Sequence, residues 1–134
     1  MVMKYVVDTH ALIWFLEGNP RIGTNAKIIL SESTSQLILP AIVLAEAAWI
    51  VERGRTSIPS VRDLLNAVET DARVSIYPVD KTVVKQSVSL TTIGEMHDRQ
   101  IVATTLVLAS QNEIVALLTC DRNITASGLV KIIW

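Results

Sequence analysis

Three short stretches bounded by polar residues or turn signals are apolar at every position and read as strands: Tyr5-Val6-Val7, Leu37-Ile38-Leu39 and Ile114-Val115-Ala116-Leu117-Leu118. A strand with one wet face alternates apolar and polar residues, so short unbroken runs describe strands buried on both faces, as in a parallel sheet covered by helices. The sequence between them supplies those helices. Strand one covers Met3 to Val7, and the helix opened by Asp8-Thr9 runs to about Leu16, where Glu17-Gly18-Asn19-Pro20 stops it. Thr24 or Asn25 is placed to cap a helix over Ala26 to Glu32, and Gln36 to Leu39 is a strand closed by Pro40. Helices are expected from Ala41 to Arg53 and from Pro59-Ser60 to Thr70, followed by an alternating strand from Val74 to Val79. Asp80 caps a helix from Lys81 to about Leu90, fully explained by the apolar positions Val83, Val84 and Val88 behind it. After a loop at Gly94, a helix from Glu95 to Ser110 leads to a strand from Glu113 to Thr119, a helical turn, and a last strand from Val130 to Trp134. The expected fold is α/β: a three-layer α/β/α sandwich around a mainly parallel sheet, formed by residues 1–134 as a single domain.

At 134 residues the chain is long enough to bury roughly two-thirds of its unfolded surface without a staple. Its single cysteine, Cys120, has no internal partner, and no Cys/His spacing resembles a structural zinc site, which suits a reducing cytoplasm. Tyr5 to Val7 is too short for a signal-peptide core, and no uncharged stretch reaches the ~20 apolar residues that span a bilayer, so no membrane association is expected. Twelve basic side chains face thirteen acidic ones, unlike the basic footprint of a general nucleic-acid binder. Half the residues are hydrophobic, which suggests apolar surface left for a partner or a second copy.

Four acids stand out by position. Asp8 follows the first buried strand, and in an open parallel sheet the functional crevice lies beyond the carboxyl ends of the strands. It is equally well placed as a helix cap. Asp121 repeats the pattern of strand, carboxylate and helical turn, and right-handed crossovers bring both acids to one sheet edge. Glu46 is the only charge between Ile42 and Val51, and its helical neighbours are Ile42, Val43, Trp49, Ile50 and Arg53. A carboxylate in such surroundings costs several kcal/mol unless it is paired, protonated or bound to a cation. The alternative is a partly exposed face with Glu46 solvated. Asp98 stands near a helix start, free to cap it or, with Ile101 and Val102 one turn on, to face the buried side. Glu95, a turn earlier, is expected to face solvent. Four carboxylates in one pocket repel one another, and a hard divalent cation, Mg²⁺ or Mn²⁺, resolves the conflict. Such a site activates water for phosphodiester hydrolysis without a nucleophilic side chain. Thr9 and Thr119 have hydroxyls able to orient a water or a carboxylate, and Arg99 and Arg122 directly follow acids, where either could meet phosphate or simply lie on the surface. His10 and His97 flank the acids, but carboxylate-metal chemistry requires neither.

The segments Val6-Val7-Asp8-Thr9-His10-Ala11-Leu12-Ile13-Trp14, Ala45-Glu46, His97-Asp98-Arg99-Gln100-Ile101-Val102-Ala103-Thr104-Thr105 and Leu118-Thr119-Cys120-Asp121 together resemble the PIN domain, in particular the VapC-type toxins of prokaryotic toxin–antitoxin pairs. The resemblance covers essentially the whole chain. It implies a metal-dependent ribonuclease with Asp8, Glu46, Asp98 and Asp121 as metal-site acids, a cognate antitoxin that inhibits the site, and a homodimer. Two other classes compete. An aspartyl-phosphate enzyme would use Asp8 as nucleophile, but the dehalogenase-like pattern wants an acid two residues on, where His10 stands, and Met3-Lys4 does not supply the acidic pair of a receiver domain. A non-catalytic interaction module would use the acids as caps, which leaves the retention of all four unexplained.

Overall fold

The structure is a computed structural model and describes residues 2–134. Five strands form one sheet: β1 (Met3–Val7), β2 (Gln36–Pro40), β3 (Val74–Tyr77), β4 (Ile114–Leu118) and β5 (Ile132–Ile133). Seven helices connect them: α1 (Thr9–Glu17), α2 (Thr24–Ser31), α3 (Ala41–Glu52), α4 (Val61–Glu69), α5 (Lys81–Val88), α6 (Met96–Ser110) and α7 (Arg122–Ser127). The spatial order is β3-β2-β1-β4-β5, and each neighbouring pair is parallel. This is the expected three-layer α/β/α sandwich, with the sheet wholly rather than mainly parallel.

The unbroken apolar runs account for the centre. Consecutive residues Val6 and Val7, Leu37 to Leu39, and Ala116 to Leu118 are all buried, so both faces of β1, β2 and β4 are covered. The helix α6 is buried on most of its circumference, and Thr104 and Thr105 fit there because their hydroxyls donate to the Gln100 and Ile101 carbonyls. Gly18 ends α1 in the left-handed region at φ 66°, and its amide satisfies carbonyls of the last turn.

Several boundaries differ from expectation for local reasons. The third strand stops at Tyr77 rather than Val79 because Pro78 has no N–H for the ladder. The second helix is entered through Gly23, without a side-chain cap from Thr24 or Asn25. Asn25 instead donates to the carbonyl oxygen of Trp134, 3.0 Å away. The last strand is reduced to Ile132–Ile133, and the turn after Asp121 is a six-residue helix. Asp80 caps α5 through Val83 N–H at 2.9 Å, as expected.

Topology fixes where a site can form. The connection from β1 leads to β2 on one side, whereas β4 lies on the other side of β1 and leads outward to β5. The direction of winding therefore reverses between β1 and β4, and the crevice beyond their carboxyl ends is the switch point of the sheet. Val7 and Leu118 are partners in the last register of that pair. Asp8 and Thr119 come next.

Candidate active site

Asp8 continues the β1 ladder by one bond, its N–H donating to the Leu118 carbonyl at 3.1 Å, and its own carbonyl accepts the first helical bond of α1 from Leu12. It directly follows the strand and is the N-cap of the helix. Its side chain is only 7 % exposed. One carboxylate oxygen, Oδ1, accepts the Thr9 N–H at 2.7 Å, and Oδ2 accepts the Thr119 hydroxyl at 2.5 Å. Burial pushes the Asp8 carboxyl above its ordinary range, and the Glu46 charge adds to this. The two hydrogen bonds and nearby His10 act in the opposite direction without cancelling the rise.

Two buried threonines hold the neighbouring acids. The Thr9 hydroxyl donates to Glu46 Oε1, which ties the second turn of α3 to the start of α1. Thr119 lies just past β4 and, besides donating to Asp8, accepts the Asp121 N–H at 3.1 Å. Asp121 then caps α7 through Ile124 N–H at 2.9 Å. Glu46 falls between the two readings of its face: its side chain is 31 % exposed, yet one oxygen meets Thr9 and the other lies 3.6 Å from His97 Nδ1.

Asp98 is in the first turn of α6 and is not the cap. Glu95 takes that role, its Oε2 accepting the Asp98 N–H at 2.8 Å. Glu95 is exposed as expected, but its other oxygen also pairs with His97 Nδ1 at 3.0 Å. The Asp98 carboxyl is pushed up to about 7, first by burial and then by the charges of Asp121, Glu95, Asp8 and Glu46. One group thus senses all three other acids. The Cys120 thiol, pushed up by burial and by Asp8 and Asp121, reports the same negative field. Among the described residues, no lysine or arginine forms an ion pair with any of these four acids, and no three His, Cys, Asp or Glu side chains stand close enough to make a ready-built metal cage.

The two arginines are placed differently. Arg99 donates through Nε to the Ile93 carbonyl at 2.5 Å and lines a hollow with Val84 and Val88 of α5. Arg122 is exposed at the start of α7, directly after Asp121. His10 is exposed and stacks against Trp14, with ring centres 5.1 Å apart. The participants that sequence reasoning passed over are His97 and Glu95. The available signal was the spacing Glu95-x-x-Asp98 after Gly94, which fits a capping acid one turn before the site acid.

The arrangement concentrates negative charge on partly dehydrated oxygen donors, and among the described residues no lysine or arginine pairs with them. Its all-oxygen chemistry suits a hard divalent ion that keeps several of its waters and needs only one or two direct carboxylates.

Comparison of the sequence with curated proteins finds no match. Solved structures share the fold along nearly the whole chain. VapC20 of Mycobacterium tuberculosis, a sarcin-ricin loop cleaving toxin, is 17% identical with a TM-score of 0.66, covering 96% of this chain and 98% of that one. FitAcB from Neisseria gonorrhoeae is 16% identical with a TM-score of 0.66, covering 97% and 96%. VapBC2 from Rickettsia felis, bound to a DNA fragment from its promoter, is 15% identical with a TM-score of 0.68, covering 98% of both chains. At these identities the likeness speaks for the fold. The family model for the PIN domain matches residues 5–127, nearly the full length, and the chain belongs to the PIN domain family.

Proposed function

We propose that this protein is a metal-dependent endoribonuclease, with Asp8, Glu46, Asp98 and Asp121 as its catalytic acids, acting as the toxin of a prokaryotic toxin–antitoxin pair in the cytoplasm. The observation that carries the reading is the geometry at the switch point, where Thr119 links Asp8 to Asp121 and Thr9 ties Glu46 to the same place, and these acids together with burial and Glu95 push the Asp98 carboxyl up to about 7. A carboxyl so disfavoured as an anion marks a place built for a positive charge. Asp8, Glu46, Asp98 and Asp121 would hold Mg²⁺ or Mn²⁺, which when bound supplies Lewis acidity at the phosphate and a water that is easily deprotonated.

The chain's own residues prepare this. Thr119 and Thr9 restrain the rotamers of Asp8 and Glu46 through hydroxyl donors, so these two carboxylates are held while the other acids close on an arriving cation. The Asp121 cap holds its carboxylate at the mouth of the crevice, and Arg122 beside it is free to meet a substrate phosphate. Arg99, engaged at Ile93, is less available for that purpose.

Partner proposals rest on the relatives. Structural neighbours include VapBC and FitAB complexes, which supports a cognate antitoxin partner, and we assign that partner the role of blocking the crevice. Exposed Val84, Val88 and Met96 supply apolar surface for a homodimer. No helix in the described residues is long and apolar enough to cross a membrane.

The test is purified protein, freed of any antitoxin, on labelled RNA with Mg²⁺, Mn²⁺ or EDTA, beside Asp8→Asn. Cleavage is expected only with the metal and the wild-type acid. Cleavage that persists in EDTA or in the variant overturns the mechanism, and a phosphorylated Asp8 would favour the aspartyl-phosphate chemistry instead.

A further inference from the structure

The acids do not account for the groove beside them. A cavity of about 530 Å³ lies between α1, α3 and the start of α6, lined by His10, Ile42, Glu46, Trp49, Ile50 and His97. Its volume falls within the roughly 300–1,000 Å³ of small-ligand sites. Glu46 belongs both to this groove and to the acid cluster, so the two are continuous.

Trp49 is the feature that needs a reason. It is 49 % exposed on a helix whose only charged residues are Glu46 and Glu52, and the Arg53 guanidinium lies over its ring, 4.1 Å from the ring centre. Trp combines a large flat surface with low conformational freedom, and half of that surface is left open next to a site proposed to cut RNA. The opposite end of the groove is polar and fixed, because His97 is held by Glu95 at 3.0 Å and Glu46 at 3.6 Å. A flat aromatic wall, aliphatic sides, a fixed polar edge and a cation outside the wall match one chemical entity: a heterocyclic base carrying a phosphate. An apolar peptide would complement the isoleucines but would offer no anion to the Arg53 guanidinium.

We propose that this groove is a binding subsite for one unstacked nucleobase of the RNA substrate, seated against Trp49 with its phosphate toward Arg53, which rests on the ribonuclease reading of the adjoining acids. Single-stranded RNA is read mainly by stacking splayed bases on aromatic side chains, so this subsite selects RNA with an unpaired base beside the cut. Trp49 and Arg53 act on binding and on choice of cut site, not on bond cleavage itself.

Two measurements test the subsite. Wild type, Trp49→Ala and Trp49→Phe are each given a randomised single-stranded RNA pool with Mg²⁺ or Mn²⁺, and the cut ends are sequenced. Wild type and Trp49→Phe are expected to share a base preference next to the cut. Trp49→Ala is expected to lose it and to raise KM roughly 5- to 150-fold, the equivalent of about 1–3 kcal/mol of stacking, with kcat within a few-fold. In the second measurement, anisotropy follows the binding of labelled ten-nucleotide RNAs, with an abasic residue walked along them, to Asp8→Asn and to Asp8→Asn/Trp49→Ala. One abasic position should weaken binding to the first protein by the same factor as the tryptophan substitution, and should have no further effect on the second. Cleavage by Trp49→Ala with unchanged preference and KM overturns the subsite and leaves the ribonuclease standing. An abasic effect that persists in full without Trp49 also overturns it. Absence of both cleavage and RNA binding in the wild-type and Asp8→Asn proteins overturns the subsite together with the reading beneath it.

Discussion

Replacing Asp98 by Asn should stabilise the folded protein while abolishing its activity. The substitution keeps the shape of the side chain and removes the charge that burial, Asp121, Glu95, Asp8 and Glu46 all oppose. Moving a carboxyl from its ordinary 3.8 to about 7 corresponds, at about 1.4 kcal/mol per pH unit, to about 4 kcal/mol against the ionised form. Asp98 is only half-buried and water screens part of this, so we expect Asp98→Asn to gain about 1–2 kcal/mol at pH 8. The sign follows from proton binding. Between pH 4 and pH 7 the unfolded chain releases the Asp98 proton while the folded chain retains it, so wild-type stability falls as pH rises through this window and levels off above it. The advantage of the variant should therefore vanish near pH 4 and reach its full value above pH 7. Urea denaturation in EDTA at pH 4, 6 and 8 reads it directly. Saturating Mg²⁺ or Mn²⁺ should then stabilise the wild type by about 2.7 kcal/mol at a hundred times Kd and help the variant much less. A variant less stable than the wild type at pH 8, or equally more stable at every pH, would refute the electrostatic account of the site.

Thr119→Val removes the hydroxyl that donates to Asp8 Oδ2 and accepts from Asp121 N–H, in a position only 1 % exposed, so it should cost about 1–3 kcal/mol and lower cleavage, with Thr119→Ser recovering most of both. Chemical denaturation and cleavage of labelled RNA check the pair. Asp80→Ala removes a cap remote from the acids and should cost about 1 kcal/mol in denaturation while leaving cleavage unchanged. A Cβ on Gly23 would stand 2.5 Å from the Trp134 carbonyl carbon and 2.7 Å from its ring, so Gly23→Ala should destabilise by about 1–3 kcal/mol in thermal unfolding, and deleting Trp134 in that background should relieve most of the further strain.

The frame of this fold was legible because both-face burial leaves a mark that needs no context. Tyr5 to Val7, Leu37 to Leu39 and Ile114 to Leu118 do not alternate as strands of a sheet with a wet face do, and the structure buries consecutive residues in each, Val6 and Val7, Leu37 to Leu39 and Ala116 to Leu118, while Ile114 at the start of β4 stays exposed. Boundaries were less legible, since they depend on partners far away in sequence. Thr24 and Asn25 carry good capping side chains, yet Gly23 stands at the helix entrance, pressed against Trp134 from the other end of the chain. Asp98 shows the same limit at the site. Its place at a helix start is explicable as a cap until Glu95 is seen occupying that role.

The acids also show why a local rule can be satisfied at a candidate site position without exhausting it. Asp8 and Asp121 are both genuine N-caps, each accepting an N–H from the helix it opens. A capping carboxylate needs one oxygen for this, and capping favours the anion rather than opposing it. Yet Asp8 is raised, since its burial and the Glu46 charge outweigh two hydrogen bonds. Capping explains why an acid is tolerated where each helix starts, but not why these helix starts share the switch point of the sheet with Glu46 and Asp98. Asp80 is the internal control: it caps α5 by accepting the N–H three residues on, as Asp121 does for α7, and lies outside the set of charges that raise Asp98. Asp80 is exposed whereas Asp8 is buried beside Glu46, and a carboxylate kept buried in like-charged company at a crevice is better explained by what it binds than by the helix it begins.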